Sequence, residues 1–111
     1  MEPKFNLWIE HDGQVVLSAW RVRLLEAIDT SGSISAAAEQ LNVPYRRAWE
    51  KIQEIEQGLG LKVVDTAVGG VGGGGAHLTA AGRNAVAQFQ AFADGFDQQV
   101  AARYTAAFRE K

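Results

Sequence analysis

The sequence contains no cysteine and only two histidines among its 111 residues. Disulfide bonds and thiolate metal sites are therefore excluded, because both need cysteine sulfur. His11 and His77 fall in separate predicted hairpins, so we expect ordinary surface histidines and no metal site. No apolar run approaches the ~18 residues of a membrane-spanning helix, and the N-terminus lacks the apolar segment of an export signal. These absences favour a soluble cytoplasmic protein.

The chain also lacks an excess of positive charge, with a formal net charge of −2 at pH 7. An indiscriminate nucleic-acid binder is usually basic throughout, whereas a specific one needs only a local positive field. Arg46, Arg47 and Lys51 lie within six residues at the start of one predicted helix. Glu54 and Glu56 lie at its far end. This polarity suits a helix that enters DNA with its N-terminal half.

The stretch Ser31–Ile55 contains two short helical patterns separated by a tight turn. Ser33 precedes the first helix as an N-cap, and Pro44 opens the second, where a missing N–H costs nothing. Asn42 is predicted to adopt the left-handed conformation of the turn. Each helix has one apolar face, formed by Ile34, Ala37, Ala38 and Leu41 in the first and by Ala48, Ile52, Ile55 and Leu59 in the second. Two helices joined in this way are typical of a helix-turn-helix.

A hairpin and a helix precede this motif. Residues 4–11 alternate between apolar and polar positions, and the Asp12-Gly13 turn predicts a returning strand over residues 14–17. A helix over residues 18–29 should follow, with an outward face formed by Arg21, Arg23 and Glu26.

A glycine-rich loop follows the motif. The stretch Val68–Ala76 reads VGGVGGGGA and holds six of the 12 glycines. Short strands are predicted on either side of it, over residues 61–66 and 77–78. Because no side chains hold this loop in a core, we expect a β-hairpin with a mobile tip, which is a wing.

The C-terminal part predicts one helix of about 28 residues, with Thr79 as its N-cap. Gly82 lies in its first turn, where glycine weakens a helix by roughly 1 kcal/mol, so a close backbone contact is expected there. The apolar stripe is longer than the small core can cover, which predicts a homodimer with twofold symmetry. The predicted dimerisation residues are Val86, Phe89, Phe92, Phe96, Val100 and Tyr104.

These elements predict a mainly α protein with small β-hairpins, of the α+β class. The fold would be a winged helix-turn-helix with a long C-terminal dimerisation helix. The hairpin and winged motif would occupy residues 1–79 and the dimerisation helix residues 80–111, within one domain.

Three stretches together resemble the N-terminal DNA-binding domain of the ModE family, the molybdate-responsive bacterial regulators, and more distantly the LysR-type winged domain. They are SGSISAAAEQLNVPYRRAWEKI (Ser31–Ile52), GGVGGGGA (Gly69–Ala76) and LTAAG (Leu78–Gly82). The resemblance implies a dimer that binds a palindromic operator in double-stranded DNA. Helix 44–58 would enter the major groove and wing 67–77 would lie beside it. The implied DNA-binding residues are Ser33, Ser35, Tyr45, Arg46, Arg47, Trp49, Lys51, Gly72, Gly73 and Gly74.

The chain departs from that family's pattern at several positions. Pro44 stands where a capping serine is frequent, and Val71 stands where lysine is frequent. The wing follows Asp65-Thr66-Ala67, where a basic residue is usual, so it carries little positive charge of its own. The family's molybdate-binding domains would follow the long helix. The given sequence ends at Lys111, before such domains would begin. No cofactor is therefore expected in this chain, whether it is a fragment or a one-domain member.

Other interpretations were weighed against this one. The glycines Gly70, Gly72 and Gly75 formally match a dinucleotide-binding fingerprint, but a strand and not a helix follows them, so an enzyme is not expected. Tyr45 either contacts DNA or packs, and Trp49 is either a packing anchor or a base contact. The acidic pI and the uncharged wing keep one alternative function open. It is a winged-helix module for protein–protein interaction or dimerisation that does not bind DNA.

Overall fold

The structure, a computed structural model, describes residues 1–70 and 73–109. Over these residues the chain forms two antiparallel hairpins and five helices. In chain order they are β1 (Trp8–His11), β2 (Gln14–Ser18), α1 (Ala19–Ser31), α2 (Ile34–Gln40), α3 (Tyr45–Leu59), β3 (Val64–Gly70), β4 (Gly73–Leu78), α4 (Ala80–Ala93) and α5 (Phe96–Ala107). The predicted α+β class and winged helix-turn-helix arrangement are confirmed.

Three helices, α1, α2 and α4, start at hydroxyl caps, as the sequence predicts. Ser18 Oγ accepts from the Arg21 N–H at 3.1 Å, Ser33 Oγ from Ala36 at 3.0 Å, and Thr79 Oγ1 from Gly82 at 3.0 Å. Each of these bonds satisfies a backbone donor that the first helical turn leaves free.

The turn between α2 and α3 has the predicted left-handed residue, but Pro44, which was predicted to open the second helix, lies just before it. Asn42 has φ 58°, in the left-handed region. Pro44 lies one residue outside α3, with φ −61° and ψ 147°, and its carbonyl accepts from Arg47 and Ala48. Helix α3 therefore begins without a side-chain cap.

α1 is the central helix of the core. It contacts α2, α3, α4 and both hairpins. Its residues Leu24, Leu25 and Ile28 are fully buried in one cluster with Ile52 and Ile55 of α3. Burying each such side chain stabilises the fold by about 1.5–3 kcal/mol. The position of α3 is thus set by apolar packing on its inner face, which leaves its outer face available.

Arg21 was predicted to face outward, and this prediction is wrong. Its side chain is buried, Nη1 donates to the Val15 carbonyl at 2.9 Å, and Nη2 pairs with Glu54 of α3 at 2.5 Å. Lys51 lies 3.4 Å from the same carboxylate oxygen. The guanidinium thus ties β2 to α3, and its charge is balanced where it is buried.

This contact also lowers the pKa of Glu54. Burial raises the pKa, but the hydrogen bond from Arg21 and the charges of Lys51 and Arg21 outweigh burial, so the pKa lies below the ordinary 4.5. Because the folded-state pKa is lower than the unfolded one, this contribution to stability is present above the unfolded pKa. It is lost as the pH falls through the folded pKa.

The strands differ in length from the prediction. β1 begins at Trp8 instead of near residue 4, and the wing strands span Val64–Gly70 and Gly73–Leu78 instead of residues 61–66 and 77–78. The wing strands extend into the glycine-rich stretch because strands pair through backbone N–H and C=O groups, which glycine also has. Ala67 and Gly75 form such a pair.

The base of the wing is fixed to the end of α1. The Leu78 N–H donates to Asp29 Oδ1 at 3.2 Å, and the Ala76 N–H donates to the Gly32 carbonyl at 2.9 Å. Gly32 also ends α1 and precedes the cap of α2. The wing and the helix-turn-helix therefore share one attachment point.

The predicted single C-terminal helix is interrupted. Asp94 has ψ 129° and Gly95 has φ 85°, so the backbone leaves the helical region and a separate helix, α5, starts at Phe96. α4 packs into the main core, and within the described residues α5 buries no side chain. Val86 and Phe89, predicted in the dimer interface, are buried in the chain's own core. The packed core therefore includes α4 and extends to the break near Gly95.

The close backbone contact predicted at Gly82 is confirmed. A Cβ atom built there would lie 2.3 Å from the Val63 carbonyl oxygen. Thr79 bonds the same stretch, because its N–H donates to that oxygen at 3.0 Å. Across the described part of the chain, no helix is both long and apolar enough to cross a membrane.

Candidate nucleic-acid interface

A cleft of about 280 Å³ lies between the helix-turn-helix and the wing. It brings together the start of α2, the first turn of α3 and the facing parts of β3 and β4. Its lining residues are Ser33, Ile34, Ser35, Tyr45, Trp49, Thr66, Ala67, Gly75 and Ala76. Four residues of the predicted DNA-binding set, Ser33, Ser35, Tyr45 and Trp49, therefore meet at one surface.

The aromatic pair of α3 spans this cleft and the core. Tyr45 and Trp49 stand edge to face with ring centroids 6.4 Å apart. Tyr45 is 51% exposed, whereas Trp49 is half-buried and packs against the core cluster. Trp49 is therefore a packing residue that also lines the cleft, and it holds Tyr45 at the surface.

The basic residues of α3 differ in their partners. Arg46 is 91% exposed at its side chain, with Nε 3.6 Å from Glu50 Oε1. Lys51 is half-buried and paired with Glu54. Arg47 is exposed and, among the described residues, is not in an ion pair. It is thus the cation of α3 whose charge is least compensated.

The polar residues of α2 and the wing complete the surface. Ser33 Oγ is used as a cap, while Ser35 is exposed. Gly73 and Gly74 lie at the start of β4, and Gly72 lies outside the described residues. Thr66, Ala67 and Gly75 also line the cleft but were not among the predicted DNA-binding residues, because the pairing of β3 with β4 brings them there.

The histidines lie apart, as expected, each beside an aspartate of its own hairpin. His11 Nε2 is 3.4 Å from Asp12, and His77 Nε2 is 3.9 Å from Asp65. Within residues 1–70 and 73–109, no group of three or more His, Asp or Glu side chains is placed to hold a metal ion.

The fold and this surface define a winged helix-turn-helix domain, with an exposed basic helix start beside a β-hairpin. Residues 20–83 match the family model for the bacterial regulatory helix-turn-helix protein, lysR family. The chain therefore belongs to this family of bacterial regulatory proteins.

Curated relatives are similar over most of this chain. It is 44% identical over 79 residues to the molybdenum-pterin-binding protein MopB of Rhodobacter capsulatus, covering 71% of this chain and 29% of MopB. It is 40% identical over 86 residues to the DNA-binding transcriptional dual regulator ModE of Escherichia coli K12, covering 78% and 33%. The chain thus spans about a third of the length of these relatives, and the resemblance to ModE is confirmed.

Two solved structures share the fold. The CbnR_DBD-DNA complex has a TM-score of 0.62 at 23% identity, covering 81% of this chain and 97% of that one. The multiple antibiotic resistance repressor MarR has a TM-score of 0.62 at 16% identity, covering 82% and 67%. At these identities, the similarity concerns the winged fold itself.

Proposed function

We propose that this chain is the DNA-binding domain of a transcription regulator, with α3 in the major groove and β3–β4 along the flanking groove. One observation carries the proposal. Tyr45 lines the cleft between the helix-turn-helix and the wing, and the exposed Arg46 and Arg47 follow it in the first turn of α3. The E. coli relative is named a DNA-binding regulator and the CbnR neighbour was solved with DNA, which supports it.

The contacts divide by chemistry. Arginine pairs with guanine O6 and N7 in the major groove, and arginine and lysine also neutralise phosphates. Ser35 and Tyr45 can donate hydroxyl hydrogen bonds to DNA phosphates at the edge of the cleft. The wing segment 68–76 contains no charged residue, so it fits against a groove without adding charge. Most of the electrostatic attraction to DNA phosphates must then come from α3. We assign no cofactor to this domain.

The direct test is duplex selection from a random pool, followed by anisotropy titration at several salt concentrations. We expect the selected duplex to bind in preference to a scrambled one. Its log affinity should fall with log salt by about 0.9 for each phosphate neutralised. Absence of duplex binding at roughly 50 mM salt would overturn the proposal.

A second function has one observation in its favour. α3 carries three basic and three acidic residues, so its net charge is zero, and the wing segment adds none. A winged module that binds a protein instead of DNA would have such a surface. The titration separates the two, because such a module would show no preference for any duplex and no salt-dependent binding.

We further propose that the domain is a homodimer held by α5, which would present two copies of α3 to a palindromic operator. Phe92, Phe96, Val100, Tyr104 and Phe108 follow one another at intervals of four residues across α4 and α5. Phe92 and Phe108 are 51% and 63% exposed, and α5 buries none of its described side chains within the chain. A second copy of the stripe would cover this apolar face.

Replacing Tyr104 by glutamate should convert the dimer to a monomer of 12.0 kDa, because it puts a charge into the apolar seam. Sedimentation or light scattering gives the mass. Gln98→Glu, exposed on the opposite face of α5, is the matched control and should leave the dimer intact. If the Tyr104→Glu protein stays dimeric, the dimer interface does not include this apolar stripe.

A further inference from the structure

The three carboxylates of α3 differ in what they do for the fold. Glu54 binds the buried Arg21, and Glu56 Oε2 accepts from the Val63 and Val64 N–H groups at 2.9 and 3.3 Å. Both residues therefore hold α3 to the rest of the domain. Glu50 has a single described partner, the exposed Arg46.

Glu50 contributes little to folding. Its side chain is 50% exposed, and an exposed pair of residues four apart on a helix adds little stability. It also lies one turn after Arg46, on the part of α3 placed nearest to DNA. A carboxylate there repels phosphate, which weakens binding to every duplex alike. The fold explains Glu54 and Glu56 but not Glu50.

We infer that Glu50 is a specificity-determining residue, which reads a cytosine and restrains Arg46; this rests on the proposed function. A carboxylate accepts a hydrogen bond from cytosine N4, while arginine pairs with guanine O6 and N7. Residues four apart on a helix are separated by ~6 Å along its axis, which corresponds to about two base-pair steps of ~3.4 Å. The pair thus reads a guanine and a cytosine about two steps apart. Without DNA, the Glu50 carboxylate lies 3.6 Å from Arg46 Nε and partly compensates its charge, which reduces the attraction of Arg46 to phosphates of any sequence.

Glu50→Gln tests this inference with the selected duplex, a scrambled duplex, and duplexes in which each C·G pair of the selected half-site is changed in turn to T·A. The variant should bind the scrambled duplex several-fold more tightly, because a negative charge is removed. Its discrimination at one C·G pair should fall about tenfold, because an amide that can donate as well as accept replaces a carboxylate that only accepts and so no longer favours cytosine N4 over thymine O4. Circular dichroism should show an unchanged fold.

Asp97→Asn is the matched control, since it removes one exposed negative charge on α5, away from α3. It should leave discrimination at every base pair unchanged. If Glu50→Gln strengthens binding to selected and scrambled duplexes equally, with discrimination intact, Glu50 acts only by repulsion and the inference fails. Absence of duplex binding by the unsubstituted protein would overturn the proposed function and this inference together.

Discussion

Replacing Arg46 and Arg47 together by alanine should weaken binding to the selected duplex by about a hundredfold or more. Each arginine that pairs bidentately with a base contributes about 1–3 kcal/mol, and each 1.4 kcal/mol is tenfold in affinity. The loss should be large here because wing segment 68–76 has no charge to compensate, and Lys51 is already paired with Glu54. Anisotropy titration at fixed salt measures it.

The single variants and a matched control sharpen this prediction. Arg47→Ala should cost more nonspecific affinity than Arg46→Ala, because Arg46 is partly compensated by Glu50 and Arg47 is not in a described ion pair. Replacing the exposed Arg23 and Arg103 together removes the same charge from α1 and α5 and should have a much smaller effect. If both double variants bind alike, α3 is not the reading helix and only bulk charge matters.

Gly82→Ala should destabilise the domain by about 3 kcal/mol, near the top of the usual range for overpacking. The added Cβ would lie 2.3 Å from the Val63 carbonyl oxygen. A backbone oxygen cannot rotate away as a side chain can, so α4 must shift from the core. We expect Tm to fall by more than about 10 °C, measured by thermal unfolding under circular dichroism.

The control for Gly82→Ala is the opposite substitution, alanine to glycine, at an exposed position of the same helix. Ala87 is exposed in the middle of α4, and Ala87→Gly should cost only about 1 kcal/mol of helix propensity. By propensity alone, Gly82→Ala should stabilise the domain. A rise in Tm for Gly82→Ala would therefore show that the approach of Gly82 to Val63 is not a tight contact.

Local chemistry predicted much of this fold. Ser18, Ser33 and Thr79 cap helices because a hydroxyl before a helical pattern accepts a free N–H, and Asn42 takes the left-handed turn. Gly82 signalled a close approach because glycine is costly inside a helix. These signals depend on a few neighbouring residues, which is why the sequence carries them.

Predictions that depended on distant partners were weaker. The periodicity of α1 placed Arg21 outside, but Glu54 and the Val15 carbonyl satisfy it in the interior, and a helical pattern contains no such partner. The Asp94-Gly95 pair is a signal for the end of a helix, but the apolar stripe continues past it, which led to the prediction of one uninterrupted helix. The sequence predicted some of the residues that line the cleft but not the cleft itself, since Tyr45 and Trp49 lie on one helix face while Ala67 and Gly75 reach it through wing pairing.

The break at Asp94 and Gly95 separates two sets of physical constraints. Residues before it must satisfy a packed interior, so most changes there alter the free energy of unfolding. No described residue of α5 is fully buried, although Phe96 at its start packs edge to face against Phe5 and Phe92, so changes beyond Phe96 should affect folding much less than changes in α4. Substitutions in the C-terminal half of α5 can therefore change the surface that this helix presents without altering the packing of the winged helix-turn-helix domain.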